Sequence, residues 1–251
     1  MATIQSEIRI SYITICKLII KHTIFQKFSY EYLLDFYEKL LLDNELLFIS
    51  AGKGGEGLQK NRSEKYHKIL TSAGDVFAQF GFYKATISQI ASRAGVADGT
   101  LYLYFKNKDD ILYQFISYKT AVVFEKMNTA VATGKNAEEK LKNLIRCHLQ
   151  EFQNDKNMAV IFQSEVRYLR DIQSQIKDIS KMYLDLLSDI IEQGQIEGAM
   201  RQDLFVGLVK RFILGAVEGV ISTWVSADGR YDLVAMADPL VDLYLNGVRG
   251  E

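Results

Sequence analysis

Between Thr86 and Lys108 the chain gathers a threonine hydroxyl, two phenols and an ammonium into one short stretch, TISQIASRAGVADGTLYLYFKNK. Phenols and ammonium groups near a helix start are good donors to phosphate oxygens. Thr86 stands where its hydroxyl can cap a helix and still reach an anion. Ala97 and Gly99 are small enough to let that end of the chain approach another surface closely. The chemistry these residues suit is binding of a polyanion, not the making of a bond.

Elements must hold those donors in place, and the local pattern supplies them. Ile87, Ile90, Ala91 and Ala94 recur at helical spacing, and Gly95 offers the left-handed residue that closes a helix. Asp98 to Phe105 reads as a second short helix. The pair forms a helix-turn-helix whose second helix can enter a major groove. Upstream, Ile69, Ala73, Val76, Phe77 and Phe80 form the inward face of a bracing helix that Gly81 ends. Downstream, Asn107 caps a long helix striped by Leu112, Phe115, Ile116, Val122, Val123 and Met127, the mechanical link from this head to the rest of the chain. From Leu58 to Lys108 eight Lys and Arg face only Glu64, Asp75 and Asp98, although the whole chain carries a net charge of -1. A basic head on an acidic body fits a protein that meets phosphate at one end.

The order of capping Thr, Ile-Ala, Ala-Gly-Val, Gly99-Thr100-Leu101-Tyr102-Leu103-Tyr104-Phe105 and Lys106-Asn107-Lys108 resembles the DNA-binding domain of the tetracycline-repressor (TetR) family. That resemblance implies an all-α fold, a three-helix head followed by a helical ligand-binding and dimerisation bundle. It gives phosphate contacts to Thr86, Tyr102, Tyr104 and Lys108, and base-edge or close backbone contacts to Asp98, Gly99 and Thr100. Asp98 has two readings beside DNA: it accepts from a cytosine amino group, or it caps the recognition helix. A single head makes few contacts, whereas a two-fold homodimer reads two half-sites of a double-stranded operator about one turn apart.

Other chemistries find little support. Cys16 and Cys147 cannot build a disulfide framework, which suits a reducing cytoplasmic setting. His22, His67 and His148 lie far apart, without metal-ligand spacing, and no nucleophile–base set or phosphate-binding glycine loop occurs, so neither an enzyme nor a metal site is expected. The Ile-rich run from Ile8 to Ile20 is interrupted by Arg9 and Lys17 and is too short to span a bilayer. Residues 1–57 lack a steady period, and Lys53-Gly54-Gly55-Glu56-Gly57 immediately precedes Leu58. Codons for that pentapeptide can spell a ribosome-binding sequence, and TTG encodes leucine. The expectation is that translation starts at Leu58 and that 1–57 is upstream sequence; an accessory extension is the alternative. The remaining domains are then 58–106, the head, and 107–251, the body.

The body reads as helices over Leu141 to Phe152, Met158 to Arg170 and Ile176 to Ile191, with Gly194 and Gly198 closing the last. Leu204 to Trp224 is apolar on more than one side and carries Gly207, Gly215 and Gly219, as a helix packed closely by others would. Asp232 to Val248 follows, with Pro239 as a restart or kink. The resemblance makes these terminal helices a four-helix dimer interface; one monomer with a larger core is the alternative. Val96-Ala97-Asp98-Gly99-Thr100, Glu165-Val166-Arg167, Thr223-Trp224-Val225 and Tyr231-Asp232-Leu233-Val234-Ala235 resemble, within that family, the regulators of fatty-acid degradation that leave DNA on binding long-chain acyl-CoA. The implied effector needs an apolar tunnel, for which Phe115, Leu144, His148, Phe152, Tyr183, Leu187 and Phe212 are candidates. Cations are needed at its mouth, and Arg146, Arg167 and Arg170 are available. A repressor of an efflux or other operon sensing a different apolar molecule, a constitutive DNA-binding protein, and a helical enzyme or carrier that merely retains the head are the competing readings.

Overall fold

The computed structural model describes residues 56–164 and 173–246. Every regular element among them is helical. We number the α-helices α1 (Glu56–Phe80), α2 (Ile87–Ala94), α3 (Asp98–Leu101), α4 (Lys108–Ala132), α5 (Ala137–Asn154), α6 (Lys156–Ser164), α7 (Gln173–Ile196), α8 (Val206–Ser226) and α9 (Ala237–Asn246). A single 3-10 turn, Val234–Met236, precedes α9. The reading of residues 1–57 as upstream sequence falls almost wholly outside the described residues.

The head forms where sequence signals agree. Ile69, Leu70, Ala73, Val76 and Phe77 of α1 are buried, but Phe80 is 41 % exposed and does not join that inward face. Gly81 ends α1 with a left-handed φ of 75°. Ile90, Ala91 and Ala94 of α2 meet α1, and Tyr66 stacks on Phe105 with ring centroids 5.3 Å apart. Gly74 is a true close-approach position: a Cβ there would lie 2.5 Å from the Phe115 ring, so α1 and α4 meet through a missing side chain.

The 25 residues of α4 span roughly 37 Å, packing on α1 at one end and on α5 along the body. In the body, α5 touches α4, α6, α7, α8 and α9 and so forms its axis. Its inward residues Leu141, Leu144, Ile145, His148, Leu149 and Phe152 are all buried. Of the two glycines expected to close α7, one does and one does not. Gly198 (φ 74°) terminates α7, whereas Gly194 lies inside the helix, where a Cβ would come 2.6 Å from the Met200 sulfur. Pro239 marks a restart and not a kink: it stands in the first turn of α9, which begins at Ala237 after the 3-10 turn, where a missing N–H costs nothing.

Helix α8 is two-faced. Val209, Ile213, Val217, Ile221 and Trp224 are buried within the protomer. Phe205, Leu208 and Phe212 are 77, 67 and 64 % exposed, and a Cβ at Gly215 or Gly219 would meet nothing within 4 Å. The expectation of burial on all sides therefore fails for the protomer. One apolar stripe, from Phe205 to Gly219, faces outward.

Candidate DNA-binding and effector sites

The capping expected of Thr86 is present in full. Its hydroxyl accepts from the Gln89 N–H, and the Gln89 side chain accepts from the Thr86 N–H at 2.8 Å, a reciprocal capping box. Gly95 takes φ 65°, and its N–H closes the last turn of α2. The second helix is shorter than the sequence pattern suggests. Regular α-structure covers Asp98–Leu101, and turns carry the chain through Tyr104. Ala97, not Asp98, is the N-cap of α3, and it makes no side-chain cap. The Asp98 carboxylate instead accepts from the Ser88 hydroxyl of α2. That bond clamps the two helices at a fixed angle, so the reading of Asp98 as a cap is corrected. Ser88 was not singled out from the sequence, because its partner lies ten residues away across the turn.

Tyr102 is 59 % exposed, Gly99 has open space around it, and Thr100 is half-buried beside them. Tyr104 is half-buried and leans toward Tyr66 and Phe105. Lys65, Lys68, Lys84 and Lys106 add exposed ammonium groups to the head. Lys108 is otherwise engaged. Its Nζ donates to the carbonyls of Phe82 (2.8 Å), Ala85 (2.9 Å) and Tyr83 (3.3 Å) and lies 4.6 Å from the centre of the Phe82 ring. With three donors spent on the loop between α1 and α2, it works here as a loop clasp, contrary to its expected role as a phosphate donor.

One carboxylate ties the head to the body. Asp75 of α1 accepts from Arg93 of α2 (Nε 3.0 Å and a terminal nitrogen 2.9 Å) and from the Asn157 side-chain amide of α6 (2.8 Å). None of these residues stands out in the sequence, since the partners are 18 and 82 positions from Asp75.

Of the candidate effector residues, Leu144, Phe152, Tyr183 and Leu187 belong to the buried core, and His148 is buried against Phe152 and Tyr183. His148 contacts Phe152 edge-on (centroids 4.9 Å) and lies 5.1 Å from Tyr183. Phe115 is buried too, but against Gly74 at the junction of head and body. Phe212 is on the outward stripe of α8 and does not face this core. Burial lowers the His148 pKa to about 4, so the ring is neutral at pH 7. Burial raises the Tyr183 phenol pKa, and the Glu218 carboxylate adds to the effect.

Arg146 pairs with Asp238 of α9 (2.6 and 2.8 Å), which Lys142 also approaches at 3.3 Å, and Asp238 is held below the usual carboxylate range by those bonds. Arg146 thus fastens α9 to α5 and is not poised for a ligand phosphate. Arg167 and Arg170 lie outside the described residues. A cationic surface does occur elsewhere: Lys177, Lys181, Lys210 and Arg211 surround an open cavity of about 340 Å³ between α7 and α8, with Asp185 at its side. Lys210 donates to the Ser188 hydroxyl and Arg211 to the Gly207 carbonyl, so both cations bond to neutral oxygens. Sequence reasoning missed this group because two helices contribute to it. Among the described residues no His, Cys, Asp and Glu cluster could hold a metal ion, and no helix is long and apolar enough to cross a membrane.

The segment Thr223 to Ala235 is explained by its own bonds. The Trp224 indole donates to the Tyr231 carbonyl at 2.8 Å, and the Gln153 side-chain oxygen accepts from the N–H groups of Leu233 and Val234. These bonds fold the loop between α8 and α9 onto α5.

Comparison with known proteins agrees with this geometry. Residues 69–114 match the family of bacterial regulatory proteins of the TetR type, and residues 116–247 match the C-terminal region of YsiA-like proteins. The fatty acid metabolism regulator protein of Bacillus subtilis is 35% identical over 193 residues, 76% of this chain and 100% of the relative. The crystal structure of FadR from Bacillus subtilis in complex with stearoyl-CoA has a TM-score of 0.69 at 36% identity, covering 73% of this chain and all of that one. The fatty acid degradation regulator FadR of Bacillus halodurans gives 0.71 at 34% identity, covering 79% of this chain and all of that one. A capped helix-turn-helix on a helical body, matched by family models over both parts, makes this chain a member of the TetR family of bacterial transcriptional regulators.

Proposed function

We propose that this chain is a homodimeric repressor of fatty-acid degradation genes that long-chain acyl-CoA releases from its operator. The observation that supports it most directly is the likeness, over the relative's whole length, to a FadR whose structure holds stearoyl-CoA. In this reading residues 58–106 meet DNA. Thr86, Tyr102 and Tyr104 donate to phosphates, while Gly99 and Thr100 lie closest to the groove. Residues 107–251 bind the effector and the second subunit. The outward stripe Phe205, Leu208, Phe212, Gly215 and Gly219 suits a self-complementary two-fold contact, because glycines let paired helices approach and the flanking rings leave water.

The core around Leu144, Phe152 and Leu187 suits the acyl chain, and the Lys177, Lys181, Lys210 and Arg211 surface suits the phosphates of CoA. Release requires that acyl-CoA bind the DNA-free spacing of the two heads more tightly than the DNA-bound spacing. Emptying a nearly full operator asks for on the order of 10⁴-fold preference, roughly 5 kcal/mol. Helix α4 is the strut that would transmit it, since it is rooted in both halves. Gel-shift titration with palmitoyl-CoA, palmitate and CoA tests the proposal. Release by the thioester alone supports it; equal potency of the free acid, or no release by acyl-CoA, leaves a TetR-type repressor of some other apolar effector.

A further inference from the structure

Among the described residues three buried side-chain atoms have no hydrogen-bond partner, the Oγ1 of Thr120 on α4, the Nδ1 of His148 and the hydroxyl of Tyr183. The last two are fully enclosed and lie close together, on rings whose centroids are 5.1 Å apart. Their surroundings are mainly apolar and aromatic, with the Glu218 carboxylate and the Cys147 thiol also acting on the phenol. Phe152 meets His148 edge-on, Phe162 meets Phe152 at 5.8 Å, and Leu144, Leu149 and Leu187 are completely buried in the same core. An enclosed hydroxyl or imidazole nitrogen without a partner costs free energy that a phenylalanine in its place would not. Packing alone does not account for the pair. An occupant carrying a hydrogen-bonding atom does.

We propose that His148 and Tyr183 form a polar reading point inside the apolar body, which takes the carbonyl oxygen of a bound acyl thioester. The inference rests on the acyl-CoA reading above and deepens it by naming the atoms that recognise the thioester. The chemistry of the two groups selects an acceptor. Burial and the Glu218 carboxylate keep the phenol protonated, so it donates. Burial keeps the imidazole neutral, and its Nδ1–H tautomer supplies a second donor. A carbonyl oxygen has two lone pairs and no charge, which matches two neutral donors. A free carboxylate would bring a second negative charge near Glu218, so the same residues discriminate against the free acid.

The test uses the full chain on its operator. Palmitoyl-CoA is compared with hexadecyl-CoA, a thioether with the same chain and headgroup but no carbonyl. Wild type should need roughly tenfold more thioether than thioester for half release, the value of the two modest hydrogen bonds together. In Tyr183→Phe that ratio should fall toward one, through a weaker response to the thioester. The ligand-free variant should melt about 2–4 °C higher than wild type, because an unpaired buried hydroxyl has gone. His148→Phe serves as the second variant and should narrow the ratio in the same way. A wild-type ratio near one overturns the assignment, as does a ratio retained in both variants. A lower melting temperature with the ratio retained would mark the pair as packing only. Wild type that responds to neither compound removes the effector reading, and this assignment with it.

Discussion

Replacing Asp75 by alanine should both loosen the head from the body and change how the head answers the effector. The carboxylate makes two kinds of contact. The ion pair to Arg93 joins a half-exposed guanidinium to a carboxylate that is 28 % exposed, so solvent screens it and it is worth about 0.5 kcal/mol. The Asn157 amide donates to a charged acceptor at 2.8 Å in a partly buried place, a bond worth about 1–1.5 kcal/mol. Together they give about 1.5–2 kcal/mol, equivalent to a fall in melting temperature of roughly 3–8 °C for a protein of this size. The link between α1 and α6 is the part that bears on signalling. A double-mutant cycle over Asp75→Ala and Asn157→Ala should return a coupling near 1 kcal/mol. If α6 passes the effector's influence to α1 through this bond, both single variants should need severalfold more acyl-CoA for operator release. The assays are thermal melting and fluorescence anisotropy of a labelled operator with and without palmitoyl-CoA. A clear loss of stability with an unchanged effector response would refute the role in signalling and leave Asp75 as a structural tie.

Tyr102→Phe should weaken operator binding by roughly 1 kcal/mol, about fivefold, equally across operator variants, since a phosphate bond carries no base information. A change in base preference at one position would show that its role is misassigned. Lys108→Met should lower stability by about 1–2 kcal/mol through lost clasping of the loop at Phe82 and Ala85. It should leave the slope of log affinity against log salt unchanged, and a slope reduced by about one would restore it as a phosphate contact. Gly215→Leu should produce folded monomers, because the added side chain meets nothing within the protomer but stands on the outward stripe; sedimentation equilibrium that still finds dimers would move the interface elsewhere. His148 titrates near pH 4 when folded, against about 6.5 unfolded, so the unfolded chain binds the proton first. Its contribution is therefore complete above pH 6.5 and is lost toward pH 4, roughly 3 kcal/mol in all. Melting of wild type and His148→Phe across that range should show the variant's curve flatter by that amount.

What the sequence by itself determined is the head and the helical class. Thr86, Gln89 and Gly95 act on backbone groups within a few positions of themselves, so the cap and the left-handed stop of α2 follow from neighbours in the chain. The stripes of α4 and α5 were legible for the same reason, since three- and four-residue spacing puts those residues on one side of any helix they form. What each helix faces was decided by tertiary packing. Phe212 reads like a core residue but lies on the open side of α8, because the inner side is already filled by Val209, Ile213 and Val217. Gly194 reads as a helix end but admits Met200, six residues on and beyond the turn. The cations show the limit most clearly. Lys108, Arg146 and Lys210 share one charge and differ only in what folding brings to them: backbone carbonyls 23 and 26 residues back, an aspartate 92 residues on, and a serine hydroxyl on the facing helix. Charge is a property of the residue, whereas its partner is set by non-local packing, and that is why the DNA-binding head was readable before folding and the effector's contacts were not.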